Sequence, residues 1–169
     1  PPAALVGDAM LRIASADGTR EIATSEFFVD SRRTVLRPGE LLEAVLLQRP
    51  APRSGTAFER FGLRRGLALA VASVAARIQL DGDRITGAAA ALGAVAATPM
   101  PVPAVAELLY GKRPSARLFL TVAATCADAA RPISDVRGSA EFRREIVATL
   151  ALRALERATA RARADGSLP

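Results

Sequence analysis

Cys126 is the only thiol in this chain of 169 residues, and there is no histidine. Those two counts remove most familiar chemistry. Without histidine there is no Ser-His-Asp or Cys-His nucleophile, and most zinc sites are excluded. A single cysteine cannot hold an iron–sulfur cluster, which takes about four thiolates. Nor can it form an internal disulfide, which fits a reducing compartment and leads us to expect a cytoplasmic protein. Cys126 falls on the apolar side of a predicted helix, where a buried, inert thiol is the plain reading. Gly111-Lys112 lacks the remainder of a G-x-x-x-x-G-K-[ST] phosphate loop, and no G-x-G-x-x-G occurs. What can still do chemistry is arginine and carboxylate: 23 Lys and Arg, with Lys112 the only lysine, against 17 Asp and Glu. Any catalysis must therefore use a bound organic cofactor or belong to a partner chain.

The net charge of +6 raises the question of nucleic acid. The arginines are dispersed, with adjacent pairs only at Arg32-Arg33, Arg64-Arg65 and Arg143-Arg144. One tyrosine and no tryptophan leave little to stack on bases, so we expect no nucleic-acid partner. Half the residues are hydrophobic but only 4% aromatic, so the core must be built mainly from Ala, Val and Leu. No uncharged apolar run approaches the roughly 18 residues of a membrane span. The opening PPAALVGDAML has neither a basic region nor a long apolar stretch, so no signal peptide is read there. It also lacks an initiator methionine, and we expect the chain to begin inside a longer polypeptide.

These residues must be positioned by the elements the pattern predicts. Residues 9–23 read as a hairpin turning at Asp17-Gly18, where glycine supplies positive φ cheaply. Thr24-Ser25-Glu26 leads through one helical turn into Phe27-Phe28. Pro38-Gly39-Glu40 is a turn that feeds a short strand from Leu41 to Leu47. Residues 48–54, QRPAPRS, carry two prolines without periodicity and read as a linker. Ala57, Glu59 and Phe61 then alternate with Phe58 and Arg60, as in a strand. Residues 67–80 and 84–97 flank Asp81-Gly82-Asp83. Alanine in both arms favours helix; the glycine-centred turn, with Gly87 and Gly93, favours a long hairpin. A short helix from Val102 to Leu109 stops at Gly111. Ser115 is a candidate N-cap for 116–130, and Ser139 for 140–163. In that last helix Glu141 and Glu145 come early and Arg153, Arg157, Arg161 and Arg163 late, which complements the helix dipole. Phe142, Ile146, Leu150 and Ala154 recur at i, i+4 and predict one buried stripe.

One segment is more specific than any of these patterns. Pro132 to Arg144, PISDVRGSAEFRR, running into the amphipathic EIVATLALRALERA, resembles the C-terminal signature of the flavoprotein (medium) subunit of molybdenum hydroxylases. That is the carbon monoxide dehydrogenase and xanthine dehydrogenase family. The resemblance continues in Phe58-Glu59-Arg60, the Ala-rich hairpin, Leu92-Gly93-Ala94-Val95-Ala96, Thr98-Pro99, Ala106-Glu107 and Gly111-Lys112. Residues 18–47, with G-x-R, a paired-Phe segment and L-x-P-x-E-hydrophobic-hydrophobic, are similar to the end of the family's second FAD-binding subdomain.

The resemblance implies residues 1–50 as a C-terminal remnant of a FAD-binding domain. It implies 55–165 as a carbon monoxide dehydrogenase flavoprotein-like C-terminal domain. It also implies FAD as cofactor, held mostly by an N-terminal glycine-rich region that is not in this chain. Its partners would be a molybdopterin-binding large subunit and an iron–sulfur small subunit. The flavin would carry electrons from the clusters to an acceptor, and the fragment alone would be inactive. Leu42 maps onto the aliphatic residue that packs near the isoalloxazine, and Arg60 onto the basic residue near the flavin. The plainer alternatives are a core residue for Leu42 and a solvated strand residue for Arg60. The chain departs from the family at Ala68, Ala89 and around Pro101, where relatives often carry charge. Asp135 and Arg137 can pair to pin the turn before the last helix. The alternative function is a non-catalytic docking module derived from the same family. The expected fold class is α+β: a small antiparallel sheet packed on roughly three helices, preceded by the β-rich remnant.

Overall fold

A computed structural model of the chain describes residues 1–64 and 69–164. The first strands are β1 (Met10–Ser15) and β2 (Gly18–Ala23), an antiparallel hairpin that positive φ at Gly18 allows to turn tightly. A single helical turn, α2 (Thr24–Phe27), and the small hairpin of β3 (Phe28–Asp30) and β4 (Arg33–Thr34) follow. β5 (Leu41–Leu46) returns beside β1, giving a three-stranded sheet ordered β2-β1-β5. Its small core is Leu11, Ile13 and Phe27. Phe27 and Phe28 meet edge to face, with ring centroids 5.1 Å apart.

The second sheet is a four-stranded antiparallel meander of β6 (Ser54–Phe61), β7 (Ala72–Asp81), β8 (Arg84–Gly93) and β9 (Met100–Pro101). The Ala-rich arms are therefore strands. Gly82, at φ +56, closes the β7–β8 hairpin between Asp81 and Arg84, and Val71 leads into β7 with its N–H on the Phe61 carbonyl. The start of the first arm, including Leu67, lies outside the described residues. Helix propensity loses here because both faces of β7 are covered. Val74, Ala76 and Ile78 face one layer and Ala75 another, all fully buried. Small side chains suit a strand squeezed from both sides.

Helices α3 (Ala104–Leu109), α4 (Ala116–Ala129) and α5 (Ala140–Ala164) form one covering layer. Both predicted caps are in place. Ser115 Oγ accepts from the Leu118 N–H at 3.3 Å, and Ser139 Oγ from the Phe142 N–H at 3.2 Å. Helix α1 (Pro2–Val6) lies on the opposite face, with Val6 packed on Ala75 and Ala91.

The stripe predicted along α5 needs correction. The buried face runs through Arg143, Val147, Leu150, Ala151, Ala154, Leu155, Ala158 and Ala162. Leu150 and Ala154 belong to it, Ile146 is half-buried at its margin, and Phe142 is 37% exposed. The i, i+4 series beginning at Phe142 is displaced by one position, about 100° around the helix, from the series beginning at Arg143. Hydrophobicity alone could not reveal that an arginine heads the buried series. Phe142 instead touches the Phe61 edge, centroids 6.0 Å apart, at the rim. Phe142→Ala is therefore expected to cost about 1–2 kcal/mol, not the ~3–5 of a fully buried ring. Chemical denaturation of the two proteins measures it.

Candidate functional site

The two residues singled out by resemblance both sit on edge strands. Leu42 lies on β5 opposite Ile13, which lies opposite Arg20, so these three side chains share one face of the first sheet. Leu11 and Val45 are paired on that same face. Leu11 and Ile13 are buried there, whereas Leu42 is 40% exposed and Val45 49%. Leu42 thus belongs to a partly uncovered apolar face that exposed Leu47, just after the strand, continues, whereas Leu41 pairs with Ala14 and points to the opposite face.

Arg60 lies on β6, opposite Ser73 of β7, which lies opposite Gly93 of β8. Glu59, one residue earlier, bonds Arg157 of α5 and so faces the helices. Arg60 accordingly faces away from them, on the side that carries α1, where Pro2 sits over Gly93. Phe58 shares that face and is half-exposed. β5 and β6 share no extended contact, so each residue is placed by its own sheet.

An exposed aliphatic wall, a half-exposed ring and an arginine suit a flat, apolar cofactor ring that gains negative charge on reduction. They do not suit its pyrophosphate. Among the described residues there is no glycine-rich nest of N–H groups leading into a helix. Leu42 and Arg60 stand on strands of different sheets that share no extended contact, so the structure does not gather them into one site.

The motif residues around this wall are locked by a contact that sequence reading missed. Arg20 grips Glu40 with two bonds, Nε to Oε1 and Nη2 to Oε2, each 2.8 Å. Arg20 Nη2 also donates to the Val35 carbonyl at 3.1 Å, and the Arg37 N–H donates to Glu40 Oε2 at 2.8 Å. These bonds, Arg20 first, pull the Glu40 carboxyl down to about 2. Both residues stand inside motifs, Arg20 in G-x-R and Glu40 in P-x-E, but nothing in their spacing announces a pair.

The signature segment builds a second locus. Asp135 accepts from the Arg137 N–H at 2.8 Å and from Arg137 Nη1 at 3.1 Å, so the anticipated pair forms. Arg143 joins it unforeseen. Its Nη2 donates to Asp135 at 2.6 Å, while Nη1 donates to the carbonyls of Val71 and Ala94, each at 3.1 Å. Hydrogen bonds from the Arg137 backbone and from Arg143 hold the Asp135 carboxyl below its usual range. Together these loops wall a cleft of about 680 Å³ that includes Leu69, Arg131, Ile133 and Arg137. Neither Leu42 nor Arg60 lines it.

Cys126 is fully buried, and burial pushes its thiol up to about 12, which leaves it inert. Of the departures from the family pattern, Ala89 is half-buried beside Leu5, and Pro101, on β9, pairs with Ala91 of β8. Ala68 lies outside the described residues, as does Arg65. Among the described residues no three acidic or thiol side chains gather as a metal site, and no helix is long and apolar enough to cross a membrane.

Residues 57–158 match the family described as the CO dehydrogenase flavoprotein C-terminal domain. The chain is 29% identical over 155 residues to the carbon monoxide dehydrogenase medium chain of Afipia carboxidovorans, covering 92% of this chain and 54% of that one. It is 30% identical over 149 residues to the glyceraldehyde dehydrogenase medium chain of Sulfolobus acidocaldarius, covering 88% and 52%. The chain thus spans about half the length of the curated relatives it matches. Its fold superposes on carbon monoxide dehydrogenase from Hydrogenophaga pseudoflava with a TM-score of 0.88 at 24% identity, over 94% of this chain and 55% of that one. Reconstituted CO dehydrogenase from Oligotropha carboxidovorans gives 0.87 at 28% identity, over 94% and 55%.

Proposed function

The chain belongs to the CO dehydrogenase flavoprotein C-terminal domain family, and we propose that it is the C-terminal part of a FAD-binding subunit in a molybdenum hydroxylase-type oxidoreductase. Residues 1–50 finish the FAD-binding domain and 55–165 form the C-terminal domain. The partners are a molybdopterin-binding large subunit and an iron–sulfur small subunit, in the cytoplasm, as the lone buried thiol favours. What supports this reading is the family match over residues 57–158, together with 29% identity over 155 residues to a carbon monoxide dehydrogenase medium chain.

When bound, FAD supplies electron transfer between the clusters and an acceptor. Leu42, with Val45 beside it, excludes water from one side of the ring. Arg60 keeps its positive charge at any working pH and so favours the negative charge that reduction brings. The pyrophosphate is held by the glycine-rich half found in the family. The chain alone is accordingly expected to emerge from gel filtration without stoichiometric flavin; a yellow, stoichiometric eluate would sink that assignment of roles.

Arg60→Ala in the complete flavoprotein tests the cation. Its loss should make flavin reduction harder by about 30 mV, equivalent to ~1.4 kcal/mol for a two-electron couple, with the fold intact. An unchanged potential and flavin spectrum would return Arg60 to an ordinary exposed strand residue.

A further inference from the structure

We infer that Arg20 is a positioning residue: gripping Glu40, it fixes where β5 begins and hence where Leu42 presents its side chain. The flavin reading enters only in what Leu42 would touch.

The backbone ladder holds this part of β5 poorly. Among the described residues β5 is an edge strand with β1 as its only partner. Its register slips between Arg12 and Ile13, which pair with Ala44 and Leu42 and leave Glu43 opposite no residue. A bulge there would let Leu41 and Leu42 rotate toward either face. Glu40, the residue immediately before the strand, is what resists. Its side chain is only 10% exposed. Its carboxylate takes three hydrogen bonds, two from Arg20 and one from the Arg37 N–H, and its own N–H donates to the Arg37 carbonyl at 3.0 Å. The turn can close only because Gly39 adopts φ +83. Arg20, standing in the same cross-strand row as Ile13 and Leu42, thus ties the far strand β2 to the start of β5. A two-point guanidinium–carboxylate contact fixes orientation as well as distance, which a lysine cannot do.

A second arginine on the same sheet provides the contrast. Arg12 pairs with Glu21 across β1 and β2 at 2.9 Å, but both are about two-fifths exposed, and their row alternates to the opposite face. That pair should position nothing.

The test uses the 169-residue chain with labelled leucine methyls, and lumiflavin as a probe of the isoalloxazine alone. In Arg20→Gln, amide exchange at Leu42 and Ala44 should rise about tenfold or more while β7 and β8 stay protected. Arg20→Lys should fall between, and serves alone if the glutamine variant does not fold. Arg12→Gln should match the wild type. Lumiflavin should shift the Leu42 methyls in wild type and Arg12→Gln, and shift them much less in Arg20→Gln. Unchanged exchange together with an unchanged lumiflavin response in both Arg20 variants would overturn the inference. If lumiflavin moves no Leu42 methyl in the wild type, the flavin reading fails instead, and exchange alone decides Arg20.

Discussion

Gly55→Ala is expected to lower the stability of the chain by about 3 kcal/mol or more, among the largest effects of any single methyl group added to it. Gly55 lies on β6 directly beneath α5. A Cβ at this position would fall 2.0 Å from the Ala158 carbonyl oxygen, 2.4 Å from the Ala162 nitrogen and 2.9 Å from Arg161 Cβ. The first two are helix backbone, so no rotamer change can make room; the helix must move. Ala151, Ala154, Ala158 and Ala162 are the small residues that let α5 approach so closely. Lifting it would also loosen Arg161 from the Thr56 carbonyl and Arg157 from Glu59. Alanine gains strand propensity over glycine, but that scale spans only about 1 kcal/mol in total. The clash therefore wins. A thermal melt followed by circular dichroism should show Tm lower by about 6–12 °C. A fall of less than about 2 °C would mean that the helix–sheet spacing is softer than the contact implies.

That close approach explains which parts of the fold were legible. Glycines at turns announce themselves, and Gly18, Gly39, Gly82 and Gly111 all have positive φ where turns or helix stops were expected. Caps are equally local, and Ser115 and Ser139 could be read directly. The Ala-rich hairpin was ambiguous because alanine votes for helix while the site selects it for size; only two covering layers make small residues right for a strand. Gly55 was invisible because its reason lies about 100 residues away, on α5.

The site was legible in the same uneven way. The motif that placed Leu42 and Arg60 is a pattern along the chain, and the strands that carry them are where that pattern predicts. Exposure is not in the pattern. Leu42 reads as a core residue until β5 proves to be an uncovered edge. Long-range charge pairs were illegible too. Arg20 and Glu40 are twenty residues apart, and in a chain with so many dispersed arginines no spacing marks the one that is gripped.

Arg143→Ala is the second large effect expected, about 3–4 kcal/mol. Arg143 is 4% exposed, near the start of a helix whose other buried residues are nearly all apolar. Its terminal nitrogens bind three loops at once: Val71 before β7, Ala94 after β8, and Asp135 in the signature turn. Ala94 adopts φ +64, an uncommon conformation for a residue with a side chain, so that carbonyl is held at a cost. Against these three bonds stands the Arg143 Nε, buried with no partner among the described residues, a penalty of about 1–3 kcal/mol already present in the wild type. Charge-assisted bonds contribute about 1.5–3 kcal/mol each, so three outweigh one orphan. Truncation also strands the Val71 and Ala94 carbonyls, whereas Asp135 keeps Arg137 and is partly solvated. Arg143→Lys should recover little, because a single ammonium cannot span three separated acceptors. Denaturation midpoints of the alanine and lysine variants measure the size. Hydrogen exchange at residues 94–97 and 131–137 locates it, and those segments should lose protection before β7 and β8 do. Uniform loss of protection across both sheets would show Arg143 to be a general core contact, with no special hold on the three loops.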